Sequence, residues 1–448
     1  MNKSVLFILI FALFLMTAIG AGSSLADAAT GQMPDQTNYF VEMAQLVAND
    51  GQASDHFGSS VAVDGDTLVV GAEGVYLIGH APNAAYVFMR DGDTWAFETR
   101  LTGSGGTTEE HFGCSVAIDG DSIFVGACSA DIGGNERQGA AYVFTRSDDV
   151  WTQQARLTAS DGQPGHIFGS SVSLSGNTAL IGAPGQGAAY VFTRSGDTWS
   201  EQAKLISGAN GDLFGSAVAV SGEIAFVGAP WTTIGGTDRE GAVYVFSYDG
   251  AAWSEPATLA ASDGDYFGDL FGDSLAFDGT TAVIGAPGAT VEGFFGAGAA
   301  YVYTGSGAAW SEEAQLTASD YRTAINFAKS VAVHGNTVLS AMPPAFGGSA
   351  AHWSEKGQLT AGTYSTAGPR AGAVYVYTQN GSVWSEQAKL APSDGNVHFG
   401  RTVALDAGTA LIGAPTTEVN GNERQGAAYV YGEWDGAYSL YLPAISGD

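Results

Sequence analysis

Between residues 168 and 205 the chain alternates large apolar with small or polar side chains in four short runs, each closed by a turn signal. The first run, 168–174 (FGSSVSL), ends at Ser175-Gly176-Asn177. The second, 178–181, stops at Gly182-Ala183-Pro184, and the third, 188–193 (AAYVFT), runs to a turn at Ser195-Gly196-Asp197. The fourth, 199–205, places polar residues on one face. Alternation with period two, broken by glycine-centred turns, predicts antiparallel hairpins. Proline has no N–H to give to a ladder, so Pro184 marks a strand end. Four short strands with tight turns make one small twisted sheet, which is marginal alone in water. Its faces need neighbours, so the pattern has to recur.

It recurs along nearly the whole chain. The opening Phe falls at Phe57, Phe112, Phe168, Phe214, Phe271, Phe327 and Phe399, in steps of 55, 56, 46, 57, 56 and 72 residues. Gly follows each Phe except at Phe327, where Ala328 stands. The end of the second run reads Gly71-Ala72-Glu73, Gly126-Ala127-Cys128, Gly182-Ala183-Pro184, Gly228-Ala229-Pro230, Gly285-Ala286-Pro287, Ser340-Ala341-Met342 and Gly413-Ala414-Pro415. The third run carries Tyr86, Tyr142, Tyr190, Tyr244, Tyr301, Tyr375 and Tyr429, each followed by Val and then Phe or Tyr. Seven copies of a four-stranded antiparallel unit predict an all-β fold, a seven-bladed β-propeller.

A Phe-Gly pair, then Gly-Ala-Pro, then a Gly-Ala-x-Tyr-Val-Phe strand resembles the FG-GAP repeat of integrin α-subunit propellers and their bacterial relatives. The likeness covers about residues 38 to 431. It implies an extracellular propeller, often adhesive or ligand-binding and frequently calcium-stabilised.

The ends of the ring follow from the fourth runs. Each has an aromatic six residues before a Leu, as in Trp95 to Leu101 and Trp199 to Leu205. Phe40 and Leu46 keep that spacing, so 38–46 is expected to supply the missing fourth strand of blade 7. The tail competes: Asp435-Gly436 is a hairpin turn, and 437–442 offers an alternative closing strand. The N-terminal segment is favoured by its period and by the Asp-Gly that follows it. Residues 1–28 read as a signal peptide, with Lys3, an apolar 5–19 run and a small-residue site at Ala26-Asp27-Ala28. Residues 29–37 read as a linker, 38–432 as the propeller and 433–448 as a tail. No later stretch is apolar enough to span a bilayer.

Charge narrows the partners. Sixteen basic against 46 acidic residues leave a net charge of −30, which argues against nucleic acid and anionic membranes. Both cysteines, Cys114 and Cys128, fall in blade 2 on either side of the Asp119-Gly120-Asp121 turn. In an exported protein they are candidates for a disulfide; two small buried residues is the alternative.

Strand alternation puts the connections between second and third strands, and those from fourth to first, on one face. Long loops on a rigid scaffold are where ligands bind, so this face is the expected binding surface. Three loops carry an arginine, Arg137, Arg239 and Arg424, placed to meet an acidic ligand or to pair with an adjacent carboxylate. The aromatics there that do not belong to the repeat are Tyr76, Trp231, Phe294, Phe295 and Phe346. In blade 6 about 30 residues intervene between Met342 and Ala371, and the insert contains an echo of a fourth strand, HWSEKGQLTA.

For calcium, the first-to-second turns (Asp64-Gly65-Asp66 and equivalents) are too short to wrap an ion. The acidic cluster Asp263, Asp265, Asp269 and Asp273 is the remaining candidate for oxygen ligation. His56, His111, His166 and His398 stand one or two residues before the repeat Phe and read as loop residues spread around the ring. There is no serine elbow, phosphate loop or unexplained carboxylate pair. The expected function is non-enzymatic: a secreted or cell-surface module that binds or adheres to an extracellular protein. The alternatives are a lectin-like glycan binder or a non-catalytic part of a polysaccharide-active system.

Overall fold

The computed structural model describes residues 39–434, apart from 75–82, 105–109, 209–210, 255, 265–267, 308, 322–324, 345–350, 354–358, 362–370 and 397. Residues 39–434 form one compact body of seven four-stranded antiparallel sheets. Blade 3 is representative: Ser171–Ser175, Thr178–Ala183, Ala188–Ser195 and Thr198–Ile206 pair in chain order. The other blades span 57–101, 112–157, 218–259, 274–316, 330–390 and 402–434. Tyr39–Leu46 pairs antiparallel with Ala427–Trp434 and is the outer strand of blade 7, so the first and last strands of the ring share one sheet. The competing 437–442 segment lies outside the described residues. No helix among the described residues is long and apolar enough to cross a membrane.

The core is divided into seven apolar clusters, one between each pair of neighbouring blades. The repeat Phe stands edge-on to the two aromatics of its own third strand, as in Phe168 with Tyr190 (5.6 Å) and Phe192 (6.0 Å). The outer-strand Trp reaches the blade before it: Trp199 packs on Phe124 with centroids 4.9 Å apart. These geometries favour ring edge against ring face.

The Phe-Gly and Gly-Ala-Pro signatures are two halves of one joint. A Cβ on Gly182 would lie 2.0 Å from the carbonyl oxygen of Gly215, in the Phe-Gly pair of the next blade. The same holds at Gly71, Gly126, Gly228 and Gly413, where the neighbouring carbonyl stands 2.0 to 2.2 Å from the Cβ position. Gly215 itself sits at φ +95, where a side chain is strained. Ser171 Oγ then donates to the Gly215 carbonyl at 2.9 Å, and Ser60 and Ser115 donate equivalently at 2.8 Å.

Two features depart from the sequence reading. The fourth strand expected over 253–259 in blade 4 is only Ala257–Leu259, with an isolated bridge between Tyr248 and Trp253. Pro256 has no N–H to give the ladder, which accounts for the break. In six blades the outer strand contains a one-residue bulge, as between Ala203 and Glu201 opposite Val191 and Phe192. In blades 1 and 3 the bulged residue reaches the next blade: Glu98 accepts from Trp151 Nε1 at 3.0 Å and Gln202 from Trp253 Nε1 at 3.1 Å. The insert of blade 6 contains an added hairpin, Ala351–Trp353 paired with Leu359–Ala361.

Candidate binding face

The connections between second and third strands are less variable than their sequences imply. In blades 2, 4, 5 and 7 they share one mini-hairpin, with bridges Ile132↔Asn135, Ile234↔Thr237, Val291↔Phe294 and Val419↔Asn422. The two central residues of each have positive φ, as at Gly133 and Gly134 (61 and 94°) or Asn420 and Gly421 (52 and 85°). That is the type I′ turn, which explains the recurrent Gly-Gly, Asn-Gly and Glu-Gly dipeptides.

Arg137, Arg239 and Arg424 follow these turns, themselves left-handed at φ 51, 56 and 56°. Their backbones strap the loop to the next blade: Ile167, Leu270 and His56 donate their N–H to the carbonyls of Arg137, Arg239 and Arg424. The next residue, Gln138, Glu240 or Gln425, is buried against Gly162, Gly264 or Gly51, where a Cβ would collide with it. The recurrent Asn-Glu-Arg-Gln sequence is thus a structural joint. The side chains of Arg137 and Arg424 are exposed, and the three arginines belong to blades 2, 4 and 7, which are not neighbours in the ring.

Arg239 differs from the other two. It is half-buried, with its guanidinium 4.3 Å from the ring centroid of Trp231, a cation–π contact. Trp231 (41% exposed) on blade 4 and Phe294 and Phe295 (42 and 52%) on blade 5 occupy loops of adjacent blades. Phe294 stands edge-on to Tyr321 at 5.6 Å, and Tyr321 donates to Glu292. Phe346 and Tyr76 lie outside the described residues.

The acidic candidates are held elsewhere. Asp263 accepts from the Tyr301 hydroxyl at 2.7 Å and from Gln315 at 2.8 Å, both in the following blade. Asp273 pairs with Lys329 at 2.6 Å. Asp269 is buried at 4% exposure, and Asp265 lies outside the described residues. Calcium needs several oxygen ligands on one centre, whereas Asp263 and Asp273 are bonded to separate partners.

The role of Asp263 recurs around the ring. Asp50, Asp161, Asp320 and Asp394 each accept from the third-strand Tyr of the next blade. Each also meets the residue opposite that Tyr on the outer strand: Arg100, Lys204, Lys389 or Gln45. Burial opposes ionisation of Asp161, but hydrogen bonds from Lys204 and Tyr190 outweigh it and hold the carboxyl at about 2. The tyrosines shift the other way: burial, reinforced by the adjacent carboxylate, raises Tyr190 and Tyr301 well above the usual range. They remain protonated donors.

The histidines are less dispersed than their sequence positions suggest. His398, His56 and His111 fall on the consecutive blades 7, 1 and 2. Burial lowers the pKa of all three, with Arg424 adding to the effect at His56 and His398 and Arg137 at His111. The His111 imidazole faces Glu73 with Nδ1 4.0 Å from the carboxylate. Cys114 and Cys128 are joined in the structure, with Cα atoms 6.5 Å apart, within disulfide range. Glu73 was not singled out by sequence; the only signal was its place where four other blades carry proline.

The FG-GAP repeat family matches at residues 40–88, 95–144, 151–192, 199–246, 253–303, 310–350 and 384–431. The chain belongs to the FG-GAP repeat family. Five of the seven matches begin on an outer strand and end on a third strand, while 253–303 begins just before the shortened outer strand of blade 4 and 310–350 ends within the insert of blade 6, so the repeat is offset by one strand from the blade. That offset leaves the first outer strand free to complete blade 7 of this FG-GAP propeller. No curated protein matches the chain. Among solved structures it is similar to a putative 6-phosphogluconolactonase from Bacteroides uniformis, at 11% identity and TM-score 0.47, covering 75% of this chain and 85% of that one. A second is a protein from Lactobacillus plantarum, at 14% identity and TM-score 0.46, covering 74% of this chain and 84% of that one.

Proposed function

We propose that this FG-GAP propeller is an exported, non-enzymatic module that binds an extracellular protein through the loop face of blades 4 and 5. Export rests on the 1–28 segment, which lies outside the described residues. The observation that carries the reading is the distribution of exposed large apolar side chains. Val41, Met43, Phe97, Val150, Ile206 and Val383 are on outer strands, whereas those in described loops are Trp231, Phe294 and Phe295. Aromatic groups exposed on loops of adjacent blades, one of them beneath an arginine, are the composition of an interface hot spot. The net charge of −30 disfavours polyanionic partners.

A glycan is the second reading, because exposed aromatic rings also stack on sugars. The Arg239 guanidinium over Trp231 covers part of that platform and favours a protein. Screening the exported chain against immobilised extracellular-matrix proteins and a glycan array tests both. A Trp231→Ala/Phe295→Ala double variant is expected to lose at least ten-fold in affinity with its melting temperature unchanged. Binding by the double variant equal to that of the parent refutes this site.

A further inference from the structure

We propose that the dithiol form of Cys114 and Cys128, together with His111 and Glu73, binds one divalent ion of the zinc class at the junction of blades 1 and 2. The carboxylate of Glu73, the imidazole of His111 and the sulfur of Cys128 offer ligand atoms that all lie within 4.8 Å of one another. Cys114 adds a fourth donor, since its sulfur meets that of Cys128 across the blade-2 hairpin. Zinc–ligand bonds of about 2.0–2.3 Å put tetrahedral donors about 3.3–3.8 Å apart. Small side-chain rotations close the remaining gap. A mixed set of thiolate, imidazole and carboxylate suits zinc rather than calcium or magnesium.

The repeat supplies an internal control. At the position of Glu73 and Cys128, blades 3, 4, 5 and 7 carry Pro184, Pro230, Pro287 and Pro415. At the position of Cys114, two residues after the repeat Phe, the other blades carry Ser59, Ser170, Ser216, Asp273, Lys329 and Arg401. The fold is therefore built four times with proline at the second of these positions and without a thiol at the first. Three departures from the repeat, Glu73, Cys114 and Cys128, gather beside a histidine that is also a potential ligand.

The surroundings fit a cation. Glu73 is partly buried, where a cation compensates its anionic form. Two thiolates and a carboxylate carry three negative charges, which outweigh the two guanidiniums of Arg137 and Arg401.

The disulfide and the metal exclude each other. Two equivalents of a small thiol reduce the disulfide to two protein thiols and form one small-molecule disulfide. Metal binding then displaces both thiol protons to solvent. The full-length chain, reduced with excess thiol and desalted under nitrogen, is titrated with Co2+ and then Zn2+. Expected is thiolate-to-cobalt charge-transfer absorption with tetrahedral bands, saturating at one equivalent and abolished by Zn2+. The oxidised chain should show none of it. Cys114→Ser/Cys128→Ser should lose the charge transfer, and His111→Asn and Glu73→Gln should each weaken Zn2+ binding at least ten-fold. Asn tolerates the left-handed backbone of His111 (φ 52), and unchanged melting of each variant separates loss of binding from loss of fold. Absence of the thiolate band in the reduced parent overturns the proposal. So does parental affinity in His111→Asn and Glu73→Gln, which would mean adventitious dithiol binding only.

Discussion

Replacing Gly182 by alanine puts a methyl carbon 2.0 Å from the Gly215 carbonyl oxygen and 2.2 Å from Ser171 Oγ. The serine can rotate, but the carbonyl is backbone and cannot. Ordinary contact needs about 3.2 Å or more, so blades 3 and 4 must separate locally by about 1 Å, and overpacking of this kind costs about 1–3 kcal/mol. The same shift weakens the Ser171-to-Gly215 hydrogen bond of 2.9 Å, for about 1 kcal/mol more. The expected loss is about 2–4 kcal/mol, a large part of a typical stability of about 5–15 kcal/mol. Urea unfolding of the full chain, followed by tryptophan fluorescence, measures it as a lowered midpoint at unchanged slope.

Gly176→Ala is the matched control. Gly176, unlike Gly182, is left-handed (φ +57) and has no atom within 4 Å of the Cβ position, so only backbone strain of about 1 kcal/mol applies. Blade 6 provides the converse. Ser340 stands at the glycine position, fully buried, and its hydroxyl finds no hydrogen-bond partner among the described residues. The joint there is looser, with the nearest atom to a Cβ on Gly400 at 2.9 Å, compared with 2.3 Å at Gly215. Ser340→Gly should therefore shift stability by less than about 1 kcal/mol, since it removes a buried unpaired hydroxyl and adds chain entropy. A parental midpoint for Gly182→Ala, or a larger effect at Gly176, refutes the blade-joint argument.

Deleting residues 1–46 should open the ring, because Ala427–Trp434 becomes an unpaired edge and Leu46 leaves the cluster between blades 7 and 1; gel filtration should show self-association with a lower melting temperature, and a monomer of parental stability would contradict it. The folded pKa of Asp161 lies below its usual 3.8, at about 2, so its latch stabilises the protein at neutral pH and is lost as pH falls from about 4 to about 2. Its side chain is 48% exposed, so Asp161→Asn should cost less than about 1 kcal/mol at pH 7 and nothing at pH 2; thermal melts at both values check this, and an equal effect at both pH values counts against it. Trp231→Ala and Phe295→Ala should each change stability by less than about 0.5 kcal/mol, and a larger fall in the urea midpoint would make these aromatics structural.

Blade number, strand order and the positions of the tight turns were legible in the sequence, because seven copies in one register average out the ambiguity of any short run. The repeat aromatics were legible as packing residues for the same reason: Phe168, Tyr190 and Trp199 recur in kind wherever blades meet. Closure had two readings, since both ends of the chain offered a strand of suitable pattern. Pairing of Tyr39–Leu46 with Ala427–Trp434 resolved it, and Gln45 and Glu42 on that strand bond Asp394 and Ser393 of the preceding connection.

The tertiary structure alone decided which polar residues are joints and which are surface. Asp263 reads in sequence as one member of an acidic cluster, yet its partners Tyr301 and Gln315 lie 38 and 52 residues away, in the next blade. Asn422 and Gln425 read as part of a charged loop but bond each other and the turn at Ala48 and Gly51, more than 370 residues earlier in the chain. The meeting of Glu73, His111 and Cys128 was equally hidden, because the donors come from two blades and no local spacing links them. A repeat determines what each blade looks like from contacts within its own length. What two blades do together depends on distances across their interface, and those exist only once the ring has closed.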